Sequence, residues 1–282
     1  MRGLNLGFGL SPNVLVVGDD SLQDVIPSNV FDIDATQLGS YGGTGQIWSN
    51  ITASPADGAP QSDHDYFVGD SGSPEPADPT FTGSAGDQGA YWALDGNDGF
   101  RLDAASVAAM PSFYKNLHKS TGGQPHSICF VGRFTATSGG SFALGGTGSF
   151  STSSQGLVYF IPGFSQTDRL GLGWYDGSGA NTLIASDIVA DATDVFVVMT
   201  FDPSSGNYKA YVNGGTVVTG TASAQTTTTD PSAIMEIMQS GFVNIGSGSR
   251  LYSCSMFNEV LSDSQVSDLK SFYEARHGRV YS

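Results

Sequence analysis

The chain has 282 residues and a hydrophobic fraction of 39%, enough to bury the core of one large domain or two smaller ones. Its 11 Lys and Arg stand against 27 Asp and Glu, a formal charge of −16 that excludes a nucleic-acid groove, because phosphate contacts need clustered cations. Charged residues make up only 13% of the chain and Gly is abundant, as in turn-rich β proteins.

The first 27 residues are Gly-rich and show no lasting alternation of apolar and polar positions. We expect residues 1–27 to form an extended N-terminal arm that becomes ordered on a partner surface, with a frayed terminus as the alternative. Their apolar run is short and broken by Gly, Pro and Asn, which makes a poor signal peptide. No run is long enough for a transmembrane helix, so membrane insertion is not expected.

Residues 28–282 are predicted to form one β domain. Strand patterns occur at 30–35, 90–94, 127–134, 141–144, 156–161, 169–175, 181–186, 194–201, 206–212, 215–219 and 249–257. Regular short strands with turns between them are typical of an all-β, two-sheet antiparallel β-sandwich or jelly roll. Residues 53–89 are rich in Pro, Gly, Asp and Ser, and we expect a long loop insertion without regular sheet there.

A short amphipathic helix is predicted close to the C-terminus. Ser262 is its expected N-cap, and Gln265 completes a capping box. Val266 and Leu269 begin its apolar face, and Gly278 ends it.

The sequence contains no recognisable catalytic motif. The four histidines belong to no HExxH or GxSxG motif and are expected to be structural or solvated. A retaining glycosidase needs two carboxylates about 5 Å apart. No Glu has another nearby; Asp32 and Asp34 share a strand face, but a turn role is expected for them. We therefore predict that the chain is not an enzyme.

The two cysteines, Cys129 and Cys254, both lie in apolar strand patterns. Isolated buried thiols are the expected state. A single bridge is the alternative if the two strands are neighbours.

A Ca²⁺ site is a candidate at the turn DGNDG. Asp95, Asn97 and Asp98 crowd oxygen ligands around its glycines. The alternative is a hydrogen-bonded Asx turn between two strands. Ca²⁺ is the only cofactor that the sequence suggests.

A glycan site is a candidate at a predicted hairpin tip. Trp174, Tyr175, Asp176 and Asn181 combine aromatic rings with acid and amide groups, as glycan sites do. Neighbouring strand residues face opposite ways, so at most one of the two rings lines a given surface. In the alternative interpretation, one ring packs in the core and the other caps a turn.

Three stretches resemble the concanavalin A-like lectin/glucanase superfamily, in particular its laminin G-like and pentraxin-like domains. They are VFDIDATQLGSYGGTGQIWSNI, then YWALDGNDGFRLD, then residues 195–277 with the ending MFNEVLSDSQVSDLKSFY. The resemblance covers residues 28–282 and implies two antiparallel sheets packed face to face. Many members of this superfamily bind glycans, and some carry Ca²⁺ at the rim of the sandwich. The resemblance implies the same properties for this chain.

We predict a non-enzymatic structural protein of a bacteriophage virion, in head decoration or tail association, with a glycan-adhesion role. Three features motivate this prediction. The expected fold is of a kind usually found outside cells, yet the sequence has no clear signal peptide. The acidic surface suits salty surroundings, and no catalytic constellation is present. The arm would bind another virion protein, such as the major capsid protein, and a homo-oligomer is expected. The chain would assemble in the host cytoplasm and leave within the particle. A free carbohydrate-binding lectin module and a divergent glycoside hydrolase are the alternatives.

Overall fold

The computed structural model describes residues 21–76, 78–135, 142–151, 153–161, 169–178, 180–184, 193–223, 225–241 and 243–282. Three α-helices lie in these ranges: α1 (Leu22–Val25), α2 (Ser112–Asn116) and α3 (Asp263–His277). The strands are β1 (Asn29–Asp34), β2 (Ile47–Trp48), β3 (Tyr66–Val68), β4 (Thr80–Thr82), β5 (Tyr91–Leu94), β6 (Phe100–Leu102), β7 (His126–Arg133), β8 (Phe142–Gly146), β9 (Gln155–Ile161), β10 (Gly171–Asp176), β11 (Ala180–Ile184), β12 (Val195–Asp202), β13 (Asn207–Val212), β14 (Gly215–Thr221), β15 (Glu236–Ile237), β16 (Gln239–Ser240), β17 (Val243–Asn244) and β18 (Ser249–Phe257). Two 3₁₀ turns lie at Gln61–His64 and Val107–Ala109. None of the helices in the described ranges is long and apolar enough to cross a membrane.

Two large antiparallel sheets make up the fold. The first has the order β14-β13-β12-β7-β18-β5-β4, with β1 also paired to β18. The second has the order β11-β10-β9-β8-β15-β6-β3-β2. The predicted all-β sandwich is confirmed, and its non-consecutive neighbours show that the sheets are joined by crossing connections rather than a simple meander.

Apolar side chains from the inner faces of both sheets form one buried core. Trp92 and Phe130 contribute from the first sheet, and Trp48, Phe100 and Trp174 contribute from the second. The Trp48 and Phe100 ring centroids lie 4.7 Å apart, and those of Trp92 and Phe100 lie 5.4 Å apart. Large rings at this spacing fill the space between the sheets and add edge and face contacts to the burial of apolar area.

A second apolar cluster lies on the outer face of the first sheet, beneath α3. Val266 and Leu269 of the helix pack there with Val198 of β12. The predicted capping box is present, because the Ser262 hydroxyl accepts from the Gln265 backbone N–H and the Gln265 side chain accepts from the Ser262 N–H at 2.9 Å. The helix therefore forms a third layer that covers one face of the sandwich.

The two cysteines lie on neighbouring strands but on opposite faces of the first sheet. Cys129 of β7 pairs with Ser255, while Cys254 of β18 pairs with Phe130. Cys254 belongs to the core between the sheets and Cys129 to the cluster beneath α3. Both are free thiols, and burial raises their pKa well above the ordinary value. Isolated buried thiols are therefore what the structure contains.

The prediction of a loop without sheet at residues 53–89 is wrong, because this segment supplies β3 to the second sheet and β4 to the first. Tyr66 and Val68 of β3 are buried in the core. Both strands have only three residues, and the prolines lie outside them, with Pro79 immediately before β4. No ladder hydrogen bond is therefore lost to proline.

The end of the predicted arm is helical. Residues 22–25 form α1, capped by Ser21 and Asp24, and Leu22 and Ile26 are buried in the cluster beneath α3. Apolar contacts within the chain hold this part of the segment. Residues 1–20 of the predicted arm lie outside the described residues.

Candidate functional site

An open groove of about 1030 Å³ lies beside the C-terminal half of α3. Its other walls are α1, residues 36–39, residues 51–52 and residues 86–88. Amide, carboxylate and hydroxyl side chains dominate its polar lining: Gln23, Gln37, Thr52, Gln88, Asp268 and Ser271. Leu38 and Phe272 add apolar surface, and Leu38 is 65% exposed at the rim.

A buried ion pair forms the floor of this groove. The Nη1 of Arg276 donates to Asp32 Oδ2 at 2.6 Å and to Asp34 Oδ2 at 3.3 Å. The Tyr273 hydroxyl donates to Asp32 Oδ1 at 3.0 Å. The guanidinium group also lies 4.2 Å from the centroid of the Phe272 ring. The side chains of Asp32 and Asp34 share one face of β1, as predicted. Asp34 also closes a turn by accepting from Thr36, as expected, and both acids hold α3 to the sheet.

Donors surround Asp34. The Thr36 backbone N–H and hydroxyl donate to its Oδ1 at 2.8 and 2.7 Å. His277 Nε2 lies 3.0 Å from its Oδ2, and His277 Nδ1 lies 2.7 Å from the Tyr281 hydroxyl. Burial alone would raise the pKa of Asp34, but His277, Arg276 and Thr36 outweigh burial and lower it to about 2.

The pKa of Asp32 is shifted in the opposite direction from that of Asp34. Burial raises the pKa of Asp32 above its ordinary value, and the nearby Asp34 carboxylate adds to this, while Arg276 and Tyr273 act against it. Arg276 was not predictable from the sequence, because a cation in the last turn of a helix is common and its partners on β1 are distant in the chain. The only sequence signal was the pair of carboxylates spaced two apart in an otherwise apolar strand.

The predicted glycan residues do not form an exposed platform. Trp174 is 1% exposed between the sheets, and its Nε1–H donates to the His118 carbonyl at 2.7 Å. Tyr175 is 5% exposed and packs with Val158 and Phe160 on the outer face of the second sheet. The two rings do face opposite ways, as strand alternation requires, but both faces are covered.

The other two predicted glycan residues are neighbours of these rings. Asp176 Oδ1 accepts from the Ser178 backbone N–H at 2.9 Å and from its hydroxyl at 3.0 Å, which closes the hairpin turn. Asn181 pairs with Trp174 across β10 and β11, and its side chain lies outside the described residues. The hairpin is therefore present, but neither ring is free to stack on a sugar.

The predicted Ca²⁺ residues form an Asx-type turn. Asp98 Oδ2 accepts from the Asp95 N–H at 2.7 Å, and Asp95 Oδ1 accepts from the Asn97 N–H at 3.1 Å. In the described part of the chain, no three His, Cys, Asp or Glu side chains converge as a metal site would require. The carboxylates of this turn are engaged with its own backbone, which is the alternative that the sequence left open.

Asp98 nevertheless has an unusual environment. It is 2% exposed, and its Oδ1 has no hydrogen-bond partner within the described residues. Burial, together with the charges of Asp95 and Asp78, raises its pKa from 3.8 to about 7. Folding therefore favours the protonated acid over the carboxylate at this position.

We expect Asp98→Asn to stabilise the protein at pH 8 by about 1–3 kcal/mol, because an amide retains an acceptor for Asp95 without a buried charge. Since the folded-state pKa is raised, the wild type should lose stability as pH rises from about 4 to about 7. The variant should lose less over the same window. Urea unfolding across this range measures both, with the exposed Asp63→Asn as the matched control. Equal pH slopes for wild type and Asp98→Asn would contradict the assignment.

Comparison with known proteins bears on the fold alone. No family model matches the chain, and no curated protein matches its sequence. Solved structures do match: a Trypanosoma rangeli sialidase in complex with sialic acid aligns with a TM-score of 0.54 at 12% identity, over 86% of this chain and 33% of that one. The fold is an antiparallel β-sandwich that this sialidase chain shares.

Two further solved structures also align with the chain. The same sialidase in complex with the inhibitor DANA gives a TM-score of 0.55 at 12% identity, over 86% of this chain and 32% of that one. The CBM40 module of a Ruminococcus gnavus sialidase, bound to α2,3-sialyllactose, aligns with a TM-score of 0.49 at 17% identity. The alignment covers 64% of this chain and 96% of that one. The chain spans about a third of the length of the sialidase chains that it matches.

Proposed function

We propose that the chain is a non-catalytic carbohydrate-binding module and that the groove beside α3 binds an oligosaccharide. The lining of the groove is the observation that carries this proposal. Sugar hydroxyls both donate and accept, so they are recognised by amides, carboxylates and hydroxyls placed around some apolar surface. Gln37, Gln88, Asp268 and Ser271 are among the polar groups of the lining, and Phe272 and Leu38 supply apolar surface.

The size of the groove also supports an oligosaccharide. Pockets for single small molecules span roughly 300–1000 Å³. The volume here, about 1030 Å³, lies just above that range. An open groove of this size accommodates several sugar units in a row, as a glycan-binding module requires.

The state of the carboxylates in the floor supports a non-catalytic role. A glycosidase needs one carboxylic acid to protonate the leaving group and one carboxylate to attack or to activate water. Asp32 and Asp34 are both buried and are bonded to Arg276, Tyr273 and His277. Neither acid is free for these steps without breaking the contact between α3 and β1.

The structural similarity to a carbohydrate-active protein agrees with this proposal at the level of fold. Nothing in the described residues favours the predicted virion role over a free module. Virion partners, the virion location and a homo-oligomer stay predictions.

A glycan array with and without Ca²⁺, followed by titration of the strongest glycan, tests the proposed function. We expect the double variant Gln37→Ala/Asp268→Ala to bind that glycan about tenfold or more weakly, because it removes two groove hydrogen-bonding side chains. The control variant Asp63→Ala removes an exposed acid that does not line the groove and should bind as the wild type does. Failure of the wild type to bind any glycan would refute the proposal. Turnover of a bound polysaccharide would refute its non-catalytic part.

A further inference from the structure

A cluster of cations lies on the outer face of the first sheet, beyond the C-terminal end of α3. It contains Arg133 at the end of β7, Arg250 of β18 and Arg279, beside the rings of Tyr91 and Tyr252. We call these five residues the arginine patch. Three of the 11 cations of a chain with a formal charge of −16 are thus brought together on one surface.

Within the described residues, one carboxylate, that of Asp194, forms ion pairs with the arginine patch. Asp194 Oδ1 accepts from Arg133 Nε at 3.0 Å, and its Oδ2 accepts from Arg279 Nη1 at 2.8 Å. The Tyr252 hydroxyl also donates to Asp194 Oδ1, at 3.1 Å. Two guanidinium groups share one negative charge, so positive charge remains in excess even before the third arginine is considered.

Arg250 is the arginine without a counter-ion. Its side chain makes no hydrogen bond or ion pair with the part of the chain that the structure describes, and its guanidinium group lies 4.5 Å from the centroid of the Tyr91 ring. In the register of β7 and β18 it stands directly opposite Arg133, an arrangement that repels unless something compensates it. Stacking on tyrosine holds the group in place without neutralising its charge, and Arg279 lies in the same way 3.8 Å from the Tyr252 ring centroid.

The arginine patch adjoins the groove through Gln88. The Nε2 of Gln88 donates to the carbonyls of Ala275 and Arg276 at 3.3 and 3.2 Å, and Gln88 is also part of the groove lining. Its own carbonyl accepts from Arg279 Nη2 at 3.4 Å. One residue therefore contacts both surfaces, so the groove and the arginine patch are neighbours.

We infer that the glycan bound by this module is acidic, and that the arginine patch binds its carboxylate or sulfate group while the groove binds its neutral sugars. This inference rests on the proposed function and names the class of its ligand. Guanidinium groups form paired, charge-assisted hydrogen bonds with both kinds of oxyanion. On a strongly acidic chain, long-range repulsion disfavours anions everywhere except where cations are concentrated.

Probes that share one neutral core and differ by one anionic group test this inference: lactose, 3′-sialyllactose and 3′-sulfolactose in solution, and matched neutral and acidic pairs on an array. We expect the wild type to prefer the acidic members, with affinity falling as salt rises. Arg250→Gln keeps a polar side chain but removes the charge, and it should weaken acidic members about tenfold while leaving neutral members unchanged. A preference among acidic members for sulfate or for carboxylate identifies the group.

Arg101→Gln is the matched control, because it removes the same charge from the second sheet, where Arg101 Nη1 donates to the Asp70 carbonyl at 3.4 Å. Thermal unfolding of both variants checks that each is folded. Equal affinity of the wild type for neutral and acidic members overturns the inference and leaves the proposed function intact. Equal losses in the Arg250→Gln and Arg101→Gln variants also overturn it, since the effect is then one of net charge. Absence of binding to every probe and every array glycan refutes the proposed function as well.

Discussion

Replacing Arg276 by Met is expected to lower the free energy of unfolding by about 3–5 kcal/mol at pH 7, which is the usual effect of removing one partner of a buried ion pair. Met keeps an unbranched apolar side chain of similar length but removes the guanidinium group, which also lies 4.2 Å from the Phe272 ring centroid, so the loss would be electrostatic. The carboxylates of Asp32 and Asp34 would stay buried without their cation. Urea denaturation followed by fluorescence and circular dichroism measures the change.

A second variant separates loss of charge compensation from loss of structure. Arg276→Met/Asp32→Asn removes one of the two stranded charges, so it should recover a large part of the stability that the single variant loses. Acid provides a further check. The lowered pKa of Asp34 contributes stability above its ordinary value of 3.8, and this contribution is lost as pH falls towards 2. The difference between wild type and Arg276→Met should therefore shrink in acid, and a loss below 1 kcal/mol at pH 7 would show that the pair is not effectively buried.

Trp174→Ala is expected to destabilise the fold by about 3–5 kcal/mol, the range for removing a large buried aromatic side chain. The ring packs 5.1 Å from the Phe201 ring centroid, and its removal also leaves the His118 carbonyl without the indole N–H. Because the ring is buried, folded Trp174→Ala protein should bind glycans with unchanged affinity. Chemical denaturation and glycan titration under native conditions measure the two effects separately.

Trp174→Phe serves as the graded control. It keeps an aromatic ring in the core but removes the hydrogen bond, and a loss of about 1–2 kcal/mol is expected. A Trp174→Ala protein with near-wild-type stability and no glycan binding would indicate that the glycan site lies at the hairpin of β10 and β11. That outcome would also argue against the groove.

The fold class was predictable because its signals are local. Alternation of apolar residues and the capping box of α3 depend on neighbours within a few residues, and both are confirmed in the structure. Strands β3 and β4 were missed because each has three residues, too few for a periodic pattern, and their pairing partners are supplied by other parts of the chain.

The candidate site was less predictable, because its contacts are distant along the chain. The Arg276–Asp32 hydrogen bond joins residues 244 positions apart, so spacing carries no information about it. For Trp174 and Tyr175, alternation correctly placed the rings on opposite faces. It could not show that each face is covered by other residues, since coverage depends on how the sheets and surface side chains pack.

The two thiols lie on opposite faces of one sheet, and this placement determines whether the folded chain can form a disulfide. Cys129 and Cys254 are neighbours in the ladder, yet the backbone of their own strands separates their sulfur atoms. An intrachain disulfide has strict limits on the separation and direction of its Cβ atoms, which this arrangement does not meet. Oxidising and reducing surroundings therefore leave the folded chain with the same connectivity, and its stability in either depends on packing and on the ion pairs that hold α3 to the sandwich.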